Sequence, residues 1–206
     1  MKNMLLLFFV AFLFTYCKRE PLEYTIKGVI FDKTHDQPVT AGELSIYKFE
    51  PASSAKLMET VSVANGSYNF TIERESVEKY EIHYESDLFF NKVITLPFSD
   101  LKVNEPNIYD IETTAKSFVK IHLKNKNSPS EEDELKILKT AGKTDCEECC
   151  QNTYFFFYGI VDEVFNCQND GKTYFSFYYW VNGDEFHKKD SVYSTPFDTV
   201  QYELVY

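Results

Sequence analysis

Four cysteines carry the most specific chemical signal in this chain. Cys146-Glu147-Glu148-Cys149-Cys150 places three thiols within five residues, and Cys167 lies seventeen residues beyond Cys150. The fifth, Cys17, stands alone near the N-terminus. In an oxidising compartment an even set of four thiols reads as two disulfides, in one of three connectivities. A bond between the adjacent Cys149 and Cys150 is strained, which favours one cross-link to Cys167 and one from Cys146 to a neighbour. The alternative is a thiolate metal site for zinc or a soft copper ion, since C-x-x-C plus further cysteines suits a tetrahedral ligand set. Redox chemistry of the thioredoxin type needs a βαβ setting, and the sequence offers none.

Aromatic rings are the second signal. Residues 154–158 read Tyr-Phe-Phe-Phe-Tyr, and residues 174–180 read Tyr-Phe-Ser-Phe-Tyr-Tyr-Trp. In a strand, alternation puts Phe175, Phe177 and Tyr179 on one face and Tyr174, Tyr178 and Trp180 on the other. One face belongs to a core. The other offers Tyr174, Tyr178 and Trp180 as a grip for a sugar or protein ligand, because rings give large contact area at small entropic cost.

Catalytic patterns do not emerge. His35, His83, His122 and His187 show no metal spacing and no HExxH. There is no GxSxG elbow, no GxxxxGK loop and no GxGxxG. Glu131-Glu132-Asp133-Glu134 reads as a solvated acidic loop more readily than as a calcium site. The chain is therefore expected to be no enzyme and to need no cofactor. Its 206 residues carry a net charge of -11, or -12 once Lys2 is lost with a leader. That charge argues against nucleic acid and against a basic face on anionic lipid.

The elements that must position these residues read as strands. Runs with strand character occupy 24–32, 43–49, 58–63, 68–73, 79–84, 89–96 and 108–113. After a polar junction at 114–116 come 118–124, 154–161, 173–181, 187–194 and 199–206. Helical periodicity is confined to 74–79 and 130–138. Short strands without intervening helices predict an all-β protein: two tandem antiparallel β-sandwich domains, at 24–113 and 117–206. The second is Ig-like by pattern alone. Asn65-Gly66 reads as a tight hairpin turn between two strands.

The first unit carries a resemblance. Gly28-Val29-Ile30-Phe31-Asp32, then Pro38-Val39 with Ala41-Gly42, then Val63-Ala64-Asn65-Gly66-Ser67-Tyr68-Asn69-Phe70 resemble the carboxypeptidase-regulatory-like, transthyretin-like domains. The Ala-Gly order is the reverse of the usual one. The resemblance implies a transthyretin-like sandwich that serves folding, spacing or docking rather than catalysis.

The N-terminus resembles that of a bacterial lipoprotein. Lys2 precedes an apolar run at residues 5–14, too short for a bilayer core of about 30 Å. Phe14-Thr15-Tyr16-Cys17 follows, then polar Lys18-Arg19-Glu20. This is similar to the relaxed lipobox of Bacteroidota lipoproteins, with Tyr16 where a small residue is usual. The resemblance implies a signal peptide at 1–16, lipidation of Cys17, a tether at 17–23, and an outer-membrane location with either side of the membrane open. Asp190-Ser191-Val192 and Asp198-Thr199-Val200 resemble the O-glycosylation acceptor of the same bacteria. The expected role is a lipid-anchored cell-envelope protein that binds or scaffolds, with envelope proteins or glycans as partners. The alternative is a metal-binding or redox protein that uses Cys146, Cys149, Cys150 and Cys167.

Overall fold

The computed structural model describes residues 21–126 and 130–206. The leader, Cys17 and most of the tether lie outside the described residues. The chain is all-β. In order, the strands are β1 Glu23–Asp32, β2 Gln37–Pro38, β3 Glu43–Phe49, β4 Lys56–Ser62, β5 Ser67–Glu73, β6 Lys79–Glu85, β7 Lys92–Pro97, β8 Pro106–Ile108 and β9 Ile111–Thr113. They continue with β10 Lys116–Lys124, β11 Glu134–Ala141, β12 Tyr154–Tyr158, β13 Asp162–Asp170, β14 Tyr174–Val181, β15 Lys188–Tyr193 and β16 Thr199–Val205.

Four sheets form two sandwiches. In the first unit, β1 pairs with β2, β5, β8 and β9, facing a sheet ordered β4-β3-β6-β7. In the second, β13-β10-β16 faces β12-β11-β14-β15. Each unit closes its own core. Tyr24, Ile26, Phe70, Tyr80, Ile82 and Tyr84 sit in the first cluster, and Val119, Ile121, Leu135, Ile137, Phe175 and Phe177 in the second. Period-two alternation decides which side chains enter. In β5, Tyr68, Phe70 and Ile72 are buried while their neighbours are exposed. In both units the first strand pairs in parallel with the last: β1 with β8 and β9, and β10 with β16 along seven residues.

Three local readings of the sequence are corrected. Residues 130–138 are not helical: β11 spans Glu134–Ala141 and pairs on both sides, with β12 and β14. Leu135 and Ile137 alternate inward there, so the period was two and the stretch too short to show it. Residues 74–78 only link β5 to β6. Asn65-Gly66 is not a hairpin turn, because β4 pairs with β3 while β5 pairs with β1, in the opposite sheet. The glycine is still required: at φ +74°, a Cβ on Gly66 would stand 2.7 Å from the Pro38 Cβ.

Two strands escaped the sequence reading altogether. β13 is written DEVFNCQND, too polar to announce itself. It forms because nine consecutive residues register against β10, from Lys116 opposite Asp170 to Lys124 opposite Asp162. β2 is two residues long and depends on its pairing with β1. The run expected at 108–113 is broken into β8 and β9.

The joint between the units is short and mostly polar, with aromatic contacts made by Phe197. Ala115 is buried in the first core, and β10 begins at Lys116. Gly171 N donates to Ala115 O at 2.9 Å, Lys172 Nζ to Thr34 O at 3.0 Å, and Lys116 Nζ to Ser86 O at 2.6 Å. The Phe197 ring stacks on His35 at 5.4 Å and meets Phe89 edge-on at 5.2 Å. Because each core is closed within its own unit, a chain ending at residue 116 is expected to fold. Cooperative urea unfolding of that fragment, monitored by circular dichroism, checks this. A fragment lacking a transition would mean that the joint supplies an indispensable part of the core.

Candidate functional site: an aromatic sheet face and a cysteine loop

Strands β11, β12, β14 and β15 set out the aromatic face. Phe175 and Phe177 are fully buried, so their neighbours must point outward. Register places Lys136 between Phe156 and Trp180, and Leu138 between Tyr154 and Tyr178. The result is a cluster around Trp180. Its ring lies 6.0 Å from Tyr154, 6.5 Å from Tyr178 and 5.5 Å from His187. The Lys136 ammonium stands 4.3 Å over the indole and 5.3 Å from Tyr154. Along β12 the rings continue outward through Phe156 to Tyr158, stacked at 6.3 Å. Tyr154, Phe156 and Tyr158 are 49%, 48% and 65% exposed. Such a patch exceeds scattered surface apolarity, and edge strand β12 carries its most exposed rings.

Two of the three rings expected to share a ligand-binding face lie side by side. Tyr178 and Trp180 share the cluster. Tyr174, at the start of β14 and four residues before Tyr178, instead pairs with Tyr193 at 5.2 Å. Tyr154, Phe156, Lys136 and His187 were missed as members. The signal for Tyr154 and Phe156 was their alternation with Phe155 and Phe157, which pack against Phe165 of β13.

The four cysteines form two disulfides, Cys146–Cys149 and Cys150–Cys167. All four sulfurs are thereby bonded, and none remains as a thiolate ligand. Cys150–Cys167 ties the loop after β11 to β13 at the core, where Cys167 is buried. Cys146–Cys149 closes a small ring around a single turn of 3-10 helix, Glu147–Cys149.

Beneath that loop lies Lys139, which the sequence reading did not single out. It follows Leu135 and Ile137 on the inward face of β11 and is 1% exposed. Its ammonium donates to the carbonyl oxygens of Cys149 at 2.7 Å, Cys150 at 2.8 Å, and Lys143. Three N–H donors thus meet three acceptors, the full capacity of an ammonium. Burial pushes its pKa down from 10.5 to about 8, against the nearby charges of Asp145 and Asp170. Asn169, also buried, braces the same loop by accepting from Lys143 N at 2.7 Å and donating to Ser194 Oγ at 2.8 Å.

The histidines are each engaged locally. His35 Nδ1 lies 2.5 Å from Asp32, His83 Nε2 lies 3.0 Å from Glu81, and His122 contacts Asp162. The acidic loop is organised rather than merely solvated. Asp133 accepts from Ser130 N and from the Asn125 and Asn182 amides, which hold its carboxyl below the usual range. Ser191 and Thr199 are both exposed.

No protein-family model and no curated protein matches this chain. Among solved structures, the TIE protein of Bacillus anthracis is similar over 89% of this chain, at 9% identity and a TM-score of 0.39. A streptococcal ancillary pilin is similar over 90%, at 8% identity and a TM-score of 0.38. The shaft pilin SpaA of Lactobacillus rhamnosus GG is similar over 90%, at 12% identity and a TM-score of 0.34, with 97% of that chain covered. This chain spans 34% of the TIE protein and 63% of the ancillary pilin. At these scores none of the three assigns a function.

Proposed function

We propose that this is a lipid-anchored cell-envelope protein with a non-catalytic binding role, and that the Trp180 face grips its ligand. The observation that carries this reading is the cluster of half-buried Trp180 and Tyr178 with exposed Tyr154, Phe156 and His187 around the Lys136 ammonium. A sheet face presenting rings and a cation suits a glycan, whose C–H faces stack on rings and whose hydroxyls accept hydrogen bonds. Two disulfides favour an oxidising compartment. The apolar run at residues 5–14 followed by Cys17 supports lipidation and an outer-membrane location, on either side. The motifs in residues 24–113 support a carboxypeptidase-regulatory-like spacer that holds the binding unit away from the anchor.

Binding of the purified protein to an immobilised panel of polysaccharides tests the reading, with Trp180→Ala as the paired variant. Loss of the indole is expected to weaken binding by ~1–3 kcal/mol, about 5- to 150-fold, because an anchor ring carries a disproportionate share of such contacts. Equal binding by both proteins would remove this face from consideration. No binding by either would shift the reading to an envelope-protein partner.

A further inference from the structure

We propose that the Cys146–Cys149 disulfide is a thiol-exchange site, opened at Cys146 by a low-molecular-weight thiol that enters the cleft between the two units. This role is independent of the aromatic face. The two disulfides sit in one loop but in different surroundings. Cys150–Cys167 joins a partly exposed Cys150 to a buried Cys167 in the second core, and the cleft of about 320 Å³ that Cys167 lines carries a single lysine, Lys120. Cys146 instead lines a cleft of about 240 Å³, whose opposite wall is Phe90, Asn91 and Lys92 of the first unit. Its partner Cys149 is fully buried. A nucleophile from solvent therefore reaches one sulfur of the pair, Cys146, and leaves the other as the departing group.

The cleft suits a thiolate. Lys92, Lys116 and Lys143 line it, with Asp145 and Glu148 as the opposing charges. Asp145 is taken up by Lys143 at 2.9 Å. Cations beside an entering thiol favour the ionised, nucleophilic form. The volume admits a cysteinyl side chain with its flanking amides, rather than a folded partner's surface.

The departing sulfur is also provided for. The Lys139 ammonium donates to the carbonyl oxygen of Cys149, which fixes the backbone that carries the departing sulfur. Electrons balance as follows. The entering thiolate bonds to Cys146 Sγ, the Cys146–Cys149 bond breaks, and its electron pair stays on Cys149. A second small thiolate then attacks the mixed disulfide. It releases the small-molecule disulfide and leaves Cys146 as a thiolate. Two thiols are oxidised and one protein disulfide is reduced.

The test exposes folded, oxidised protein to reduced glutathione, quenches with acid, alkylates, and maps the labelled peptides. Label on Cys146 and Cys149 is expected to appear at least about tenfold faster than on Cys150 and Cys167, while circular dichroism stays native. A second arm treats Cys149→Ser with glutathione disulfide, which should leave a stable mixed disulfide on Cys146. The proposal is overturned if both bridges open together, if Cys150–Cys167 opens first, or if nothing opens before the fold is lost. Failure of a folded Cys149→Ser to form the adduct overturns it equally. Should that variant not fold, the order of opening in the parent protein decides.

Discussion

Replacing Lys139 with Met is expected to cost about 2–3 kcal/mol of stability, although it removes a buried charge. The methionine side chain fills much of the same space but donates nothing. The carbonyl oxygens of Cys149, Cys150 and Lys143 would lose their shared donor, and each orphaned buried acceptor costs roughly 1–3 kcal/mol. The desolvation of the ammonium is recovered, which offsets part of that sum. A pH signature separates this residue from ordinary packing. Its pKa is about 8 when folded and near 10.5 when unfolded, so between those values the unfolded chain holds a proton that the folded chain has released. Raising the pH from about 8 towards 10 must therefore stabilise the parent protein through this group. Below pH 8 both states are protonated and the contribution is flat. Tyr68, Tyr84 and Tyr202, all raised by burial, act in the opposite direction above pH 10 and close the window. Denaturant titrations of both proteins from pH 7 to 10 check the claim. A variant of parental stability with an unchanged profile would show that the loop does not depend on this ammonium.

Removing Cys150–Cys167, by Cys150→Ser together with Cys167→Ser, is expected to lower stability by about 3 kcal/mol, from the loop it closes in the unfolded chain. Removing Cys146–Cys149 should cost about 2 kcal/mol or less, since its ring is four residues long. The first pair also fixes β13, whose polar sequence gives it few apolar contacts of its own. Its loss should fall hardest on the β10–β13 ladder. Hydrogen exchange of the Val119 and Ile121 amides, compared with that of Ile137, reports where the damage lands. Equal losses from the two double variants would mean that loop length does not set the difference. Because Lys139 and Cys150 share a hydrogen bond, combining the first two changes should cost less than their sum.

Much of the fold was legible where burial is one-sided. Val119, Ile121 and Leu123 alternate with Lys120 and His122, and the strand followed directly. It was illegible where pairing rather than side chains makes the strand. β13 places Phe165, Cys167 and Asn169 inward among acids and amides, and only the ladder to β10 reveals it. β11 was misread because Leu138 interrupts the alternation on the outer face, where it packs between Tyr154 and Tyr178. That error hid Lys139. A lysine continuing an inward Leu-x-Ile series is a strong sign of a buried amine, but only once the series is recognised as a strand. The cysteine spacing excluded the strained bond between neighbours but left open whether Cys149 or Cys150 joins Cys167; the fold makes it Cys150. The Trp180 cluster was half visible. Alternation within β14 found Tyr178, whereas Tyr154 and Lys136 arrive from other strands by register, which no local pattern encodes.

The parallel pairing of first and last strands in both units has a mechanical consequence. The chain enters each unit at one end of such a pair and leaves at the other. Tension along the protein would slide β1 against β8 and β9, and β10 against β16, loading the hydrogen bonds of each ladder together. An antiparallel pair of terminal strands would instead open like a zipper, one bond at a time. With the N-terminus held and a load on the Trp180 face, the pull would run through the first unit and its shear-loaded ladder.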